Sequence, residues 1–135
     1  FIQLSIPIFR RCYRPKTMRD FIESLPKYTQ SLITLLLLLG VALLHFITPP
    51  TLAIKPVFGA DKIAHCLIFF LVTSWSCIVY SGKRIRLFAV FLILYGLGLE
   101  LIQMTLIPYR SFEWMDWVFD VSGILLGLFT FTKRL

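Results

Sequence analysis

The stretch that decides the fold is residues 87–107, LFAVFLILYGLGLELIQMTLI. At 1.5 Å per helical residue this run reaches roughly 30 Å, the thickness of a bilayer's hydrocarbon core. Its one ionisable acid is Glu100. A carboxylate at that depth costs several kcal/mol unless it is paired, protonated or turned to a wet cavity, so it marks a site. Working outward, residues 28–47, 62–80 and 115–132 form three further apolar runs of spanning or near-spanning length. All four are continuous rather than alternating, which argues against a β-barrel. With 58% hydrophobic residues and a mean hydropathy of +0.81, too little polar sequence remains to clothe a water-soluble bundle. The expectation is an all-α, integral membrane four-helix bundle. Its single membrane domain covers 28–132, between a basic segment at 1–27 and a short tail at 133–135.

Charge sets the expected topology. Arg10, Arg11, Arg14, Lys16, Arg19 and Lys27 precede the first span, Lys83, Arg84 and Arg86 separate the second from the third, and Lys133 and Arg134 close the chain. Eleven of the 14 basic residues thus fall on one side, which the positive-inside rule assigns to the cytoplasm, with both termini. The net charge of +7 is an orientation signal. No basic stripe with interleaved aromatics accompanies it, so nucleic acid is not an expected partner. The apolar run before the Arg cluster has the wrong charge order for a signal peptide. Met18 is the expected natural start, with 1–17 as upstream sequence. Cys12, Cys66 and Cys77 form neither a metal motif nor a disulfide framework.

Along the chain, the leucine-rich first span reads as lipid-facing, with His45 near its outer end. Thr48, Pro49 and Pro50 stop it, because proline lacks the donor that helical continuation needs. Asp61 reads as the N-cap of the second span, and His65 follows it at i+4 on one face. In the third span, Gly96, Glu100 and Gln103 share a face. Pro108 ends that helix and Tyr109, Arg110, Ser111 and Phe112 make an outer loop. On the fourth, Glu113, Asp116, Asp120, Gly123 and Gly127 recur at spacings of three and four, a polar-then-small stripe. The Gly123-x-x-x-Gly127 pair suits close helix packing within the bundle.

In a four-span topology Asp61, Lys62, His65, Glu100, Gln103, Arg110, Ser111, Asp116 and Asp120 all fall in the outer third of the membrane. Glu100 lies about 10 Å below the end of its span. Nothing equivalent stands on the cytoplasmic side. These residues are the candidate binding set, with His65 and Glu100 the candidate catalytic pair, since an imidazole and a carboxylate can exchange protons. Bland roles compete: Asp61 as cap, Lys62 snorkelling to the interface, Glu100 with Arg110 as a structural ion pair, Glu113 solvated. His65, Glu100, Asp116 and Asp120 offer nitrogen and oxygen donors. With His45 distant in sequence and no HExxH or cysteine set, neither a metal nor a cofactor is expected. Four spans without repeats or broken helices argue against an independent transporter.

At these residues the chain resembles the VanZ-like family of small bacterial membrane proteins. The matching pieces are Asp61-Lys62-x-x-His65, Glu100-x-x-Gln103, Pro108-x-Arg110-Ser111, Asp116, Asp120 and Gly123-x-x-x-Gly127, over about residues 28–132. One departure is Asp120, where the family usually carries Asn. The resemblance implies a protein of the bacterial cytoplasmic (inner) membrane acting at the cell envelope, in a family associated with low-level teicoplanin resistance. The leading expectation is an outward-facing polar pocket for an envelope lipid, a lipid-linked precursor or a glycopeptide. Arg110 would engage an anionic group and Glu100 and Gln103 would orient it. Two rival readings are a membrane enzyme acting on an envelope lipid by acid–base chemistry, and a non-catalytic structural or partner-binding membrane protein whose polar cluster locks the second, third and fourth spans together.

Overall fold

The computed structural model describes residues 17–46, 60–108 and 111–132. The expected stop at Pro49 and Pro50, the proposed upstream segment up to Lys16 with Cys12, Tyr109 and Arg110, and Lys133 and Arg134 lie outside them. The described residues form α1 (Met18–Ser24), α2 (Lys27–Phe46), α3 (Ala60–Val79), α4 (Lys83–Leu106) and α5 (Trp114–Thr132). The last four are each long and apolar enough to cross a membrane. The described residues are therefore all-helical, with four helices of the length and apolarity that a multi-pass membrane protein needs. The outward surface agrees: Leu32, Leu35, Leu36, Leu39 and Leu43 on α2, and Leu87, Val90 and Leu94 on α4, are exposed.

The short α1 is an addition to the expected four helices. Thr17 caps it reciprocally with Asp20: the Asp20 N–H donates to Thr17 Oγ1 at 3.2 Å and the Thr17 N–H to Asp20 Oδ2 at 3.0 Å. Such a capping box satisfies two donors that a helix start otherwise leaves free. The Gln30 amide then ties α1 to α2, donating to the carbonyls of Ile22 and Leu25 at 2.9 and 3.2 Å. Gly82, with φ of 58°, makes the turn into α4, a left-handed conformation that glycine adopts without steric cost. At the far end the chain leaves helical geometry at Ile107, one residue before Pro108, as the restriction on residues preceding proline requires.

The apolar core joins Val41, Phe69, Val72, Ala89, Leu92, Leu99 and Ile124 from all four long helices. The closest pair is α3 with α5. A Cβ built on Gly123 would stand 2.2 Å from the Cys66 carbonyl oxygen, and one on Gly127 would stand 2.8 Å from Thr73 Cβ. The small-residue stripe thus packs inside the bundle. Side-chain hydrogen bonds bind α2 to its neighbours: Trp75 Nε1 donates to Thr34 Oγ1 at 3.0 Å, and the Tyr95 hydroxyl to the Leu38 carbonyl at 2.7 Å. The first span is lipid-facing over only part of its circumference. Gln30, Thr34, Val41 and His45 form a buried stripe along it, at spacings that return to one helical face.

Candidate functional site

Four helix ends meet at one end of the bundle, where α2 and α4 finish and α3 and α5 begin. His45 comes from the last turn of α2, Lys62 and His65 from the start of α3, Glu100 and Gln103 from the end of α4, and Asp116 and Asp120 from the start of α5. Apart from Lys62 and His65, all of these are buried. Such a placement follows from the sequence: each polar group sits within about two turns of a helix terminus, close to the interface.

The two imidazoles organise the centre. His65 Nδ1 lies 2.9 Å from Asp120 Oδ1, and its Nε2 lies 3.9 Å from Asp116 Oδ2. His45 Nδ1 lies 2.9 Å from the Val41 carbonyl, which can only accept, so Nδ1 carries the proton and Nε2 is bare in the neutral ring. That Nε2 stands 3.8 Å from Asp120 Oδ2. The rings meet edge to face with centroids 4.6 Å apart. From α4, the Gln103 amide donates to the His45 backbone carbonyl, fixing the end of α2 against α4.

Lys62 forms the outer rim. Its Nζ lies 2.7 Å from Asp116 Oδ1, 3.1 Å from Glu113 Oε2 and 3.6 Å from Asp61 Oδ2, with the Lys62 side chain 20% exposed. Lys62 therefore binds α3 to α5 rather than merely snorkelling. Asp61 lies inside the first turn of α3, one residue beyond the helix start, and is exposed rather than acting as the N-cap. Glu113 is exposed yet paired with Lys62. Ser111 is exposed. The expected Glu100–Arg110 pair lies outside the described residues. Of the predicted set, the structure thus brings together Lys62, His65, Asp116 and Asp120 directly, and Glu100 and Gln103 with them through His45.

His45 is the residue that sequence reasoning set aside. Its signal was present in α2, where Gln30, Thr34 and His45 repeat on one face of an otherwise leucine-rich helix. Its arrival changes the donor set. One ligand atom each from His45, His65 and Glu100 lies within 4.8 Å of the others, and the same holds for Asp61, Glu113 and Asp116 at the rim.

The centre is rich in unmatched acceptors. Among the described residues, His45 Nε2, Glu100 Oε1, Gln103 Oε1, Asp116 Oδ2 and Asp120 Oδ2 are buried without a hydrogen-bond partner. A buried polar group left without any partner costs about 1–3 kcal/mol, so each of these atoms calls for one. The arrangement suits a group that brings donors or positive charge, and it holds an oriented imidazole–carboxylate pair able to take up and release a proton.

No protein-family model, curated protein or solved structure matches this chain.

Proposed function

We propose that this is a VanZ-like protein of a bacterial cytoplasmic membrane, with both termini inside and the polar centre facing out. There it binds the headgroup of an envelope lipid or lipid-linked ligand, and it contributes to tolerance of glycopeptides such as teicoplanin. The observation that carries the reading is the set of five buried, unmatched acceptors gathered at one end of the bundle. The one-sided distribution of Lys and Arg supports the outward orientation.

The geometry refines the expected ligand. Lys62 is already engaged by three carboxylates, and the groups left unmatched accept rather than donate. The bound headgroup should therefore present donors, an ammonium or several hydroxyls, to Asp116, Asp120 and Gln103. An apolar groove of about 220 Å³ between α2 and α3, lined by Gly40, Val41, Leu44, Ile68 and Leu71 among others, offers space for an acyl chain. Lipid-resolved native mass spectrometry of the purified protein tests this. Asp120→Asn should lower the occupancy of one headgroup class selectively. The same bound lipids at the same occupancy in the variant would refute the reading.

The His65–Asp120 pair favours a second reading, in which the protein turns over its lipid. Asp120 would hold the ring by Nδ1 and leave Nε2 as the atom that gives or takes a proton, with Glu100 as the companion group. A change in membrane lipid profile that requires His65 and Glu100 at constant protein abundance distinguishes turnover from binding.

A further inference from the structure

We infer that His45, His65 and Glu100 form a binding site for one divalent transition-metal ion, resting on the reading of the polar centre as a functional site. The donor set is two imidazoles and a carboxylate from three different helices. This combination suits zinc or iron and leaves coordination positions open to a water or a ligand. Sequence spacing hid the set, because its members lie on α2, α3 and α4 and share no local motif.

Three features of the centre fit a metal better than hydrogen-bonded water alone. First, both rings have Nδ1 engaged, His45 at the Val41 carbonyl and His65 at Asp120, so Nε2 is the free donor atom on each. A metal-binding imidazole is usually held this way, its second nitrogen fixed by a carbonyl or carboxylate that sets the tautomer. Second, His45 Nε2 and Glu100 Oε1 are buried without a hydrogen-bond partner among the described residues. Third, one ligand atom from each of the three side chains already lies within 4.8 Å of the others. Ligand atoms on a tetrahedral ion with bonds of about 2.0–2.1 Å sit roughly 3.3 Å apart, so side-chain adjustments of about 1.5 Å or less close the site.

The rim carboxylates do not compete. Asp61, Glu113 and Asp116 form a second acidic group, but Lys62 Nζ stands among them, within 3.6 Å of each. A cation already occupies that position.

The test is titration of the full-length protein, purified in detergent and stripped with chelator, with cobalt(II) as the spectroscopic probe and zinc(II) in competition. Expected is one ion per chain, a visible cobalt spectrum of low-symmetry nitrogen–oxygen coordination, and displacement by zinc. His45→Ala and Glu100→Gln should each abolish the spectrum. Asp120→Asn keeps all three ligands but loosens the hold on His65, and should weaken affinity about 10- to 100-fold. Glu113→Gln should leave it unchanged. Helix content by circular dichroism accompanies every variant, and the wild-type titration stands without any of them.

Failure of folded wild type to bind cobalt or zinc stoichiometrically would overturn the proposal. So would binding that survives in both His45→Ala and Glu100→Gln, or that disappears in Glu113→Gln, which would move the ion to the rim. Lipid occupancy measured on the same samples separates the two readings. A metal-free centre that still selects its lipid sinks the metal site alone, whereas a metal-loaded protein whose lipids ignore Asp120→Asn sinks the lipid reading alone.

Discussion

Replacing Gly123 with alanine tests the packing that builds the site. The added Cβ would lie 2.2 Å from the Cys66 carbonyl oxygen and 3.0 Å from both the Cys66 carbonyl carbon and the Phe70 nitrogen. Carbon approaches a carbonyl oxygen comfortably at about 3.3 Å, so α3 and α5 must part by roughly 1 Å. These neighbours are helical backbone and have no rotamer through which to yield. Overpacking of this kind costs about 1–3 kcal/mol, and the upper end applies here. Alanine's better helix propensity returns about 1 kcal/mol, leaving a net destabilisation of about 2 kcal/mol. The damage reaches the centre too, since Asp120 lies one turn before Gly123 and meets His65 at only 2.9 Å. Unfolding in mixed micelles titrated with dodecyl sulfate, followed by helical circular dichroism, measures the loss. Gly98→Ala is the control, because nothing lies within 4 Å of its Cβ position, and it should be neutral or slightly stabilising. If Gly123→Ala proves as stable as Gly98→Ala, the close approach of α3 and α5 is wrong.

Lys62→Met keeps the stem of the side chain but strands three carboxylates, one of them the buried Asp116. Breaking a fully buried pair costs about 3–5 kcal/mol, and partial exposure of Lys62 lowers the expectation to about 2 kcal/mol. Adding Asp116→Asn should recover part of it, a coupling that a double-mutant cycle in the same unfolding assay reads. Tyr95→Phe deletes the hydroxyl that donates to the Leu38 carbonyl at 2.7 Å, and should cost about 1 kcal/mol without altering metal or lipid binding.

The spans were legible because burial in lipid demands long, unbroken apolar runs, and such runs leave little ambiguity of period. Their ends were less so. The third was expected to begin at residue 87, whereas α4 starts at Lys83. Basic residues there are good helix formers whose stems lie along apolar surface while their charges reach water, so hydropathy underestimates the helix by a turn. The seven-residue α1 is too short for a detectable periodicity, and its capping box at Thr17 and Asp20 is seen only in the structure. Within the site, Glu100, Gln103, Asp116 and Asp120 stood out because polar groups in apolar runs are costly. His45 did not, since a histidine near a helix end is unexceptional and only tertiary packing shows that it turns inward.

The polar cluster and the glycine stripe belong to one register between two parallel helices. Lys62 reaches Asp116 and His65 reaches Asp120 across sequence separations of 54 and 55, and the backbone near Cys66 and Phe70 then meets Gly123. One turn further, Thr73 meets Gly127. Lys62, His65, the turn from Cys66 to Phe70, and Thr73 thus climb α3 as Asp116, Asp120, Gly123 and Gly127 climb α5. Sliding either helix by one turn would set the glycines against the wrong partners and leave His65 without its carboxylate at the same time. The glycines let α3 and α5 approach closely enough for a histidine on one to meet an aspartate on the other. The ion pair at Lys62 fixes which turns face each other. Packing below therefore determines the chemistry above, and a substitution at Gly127, about two helical turns from Asp120, should disturb the His65–Asp120 contact through the helix spacing alone.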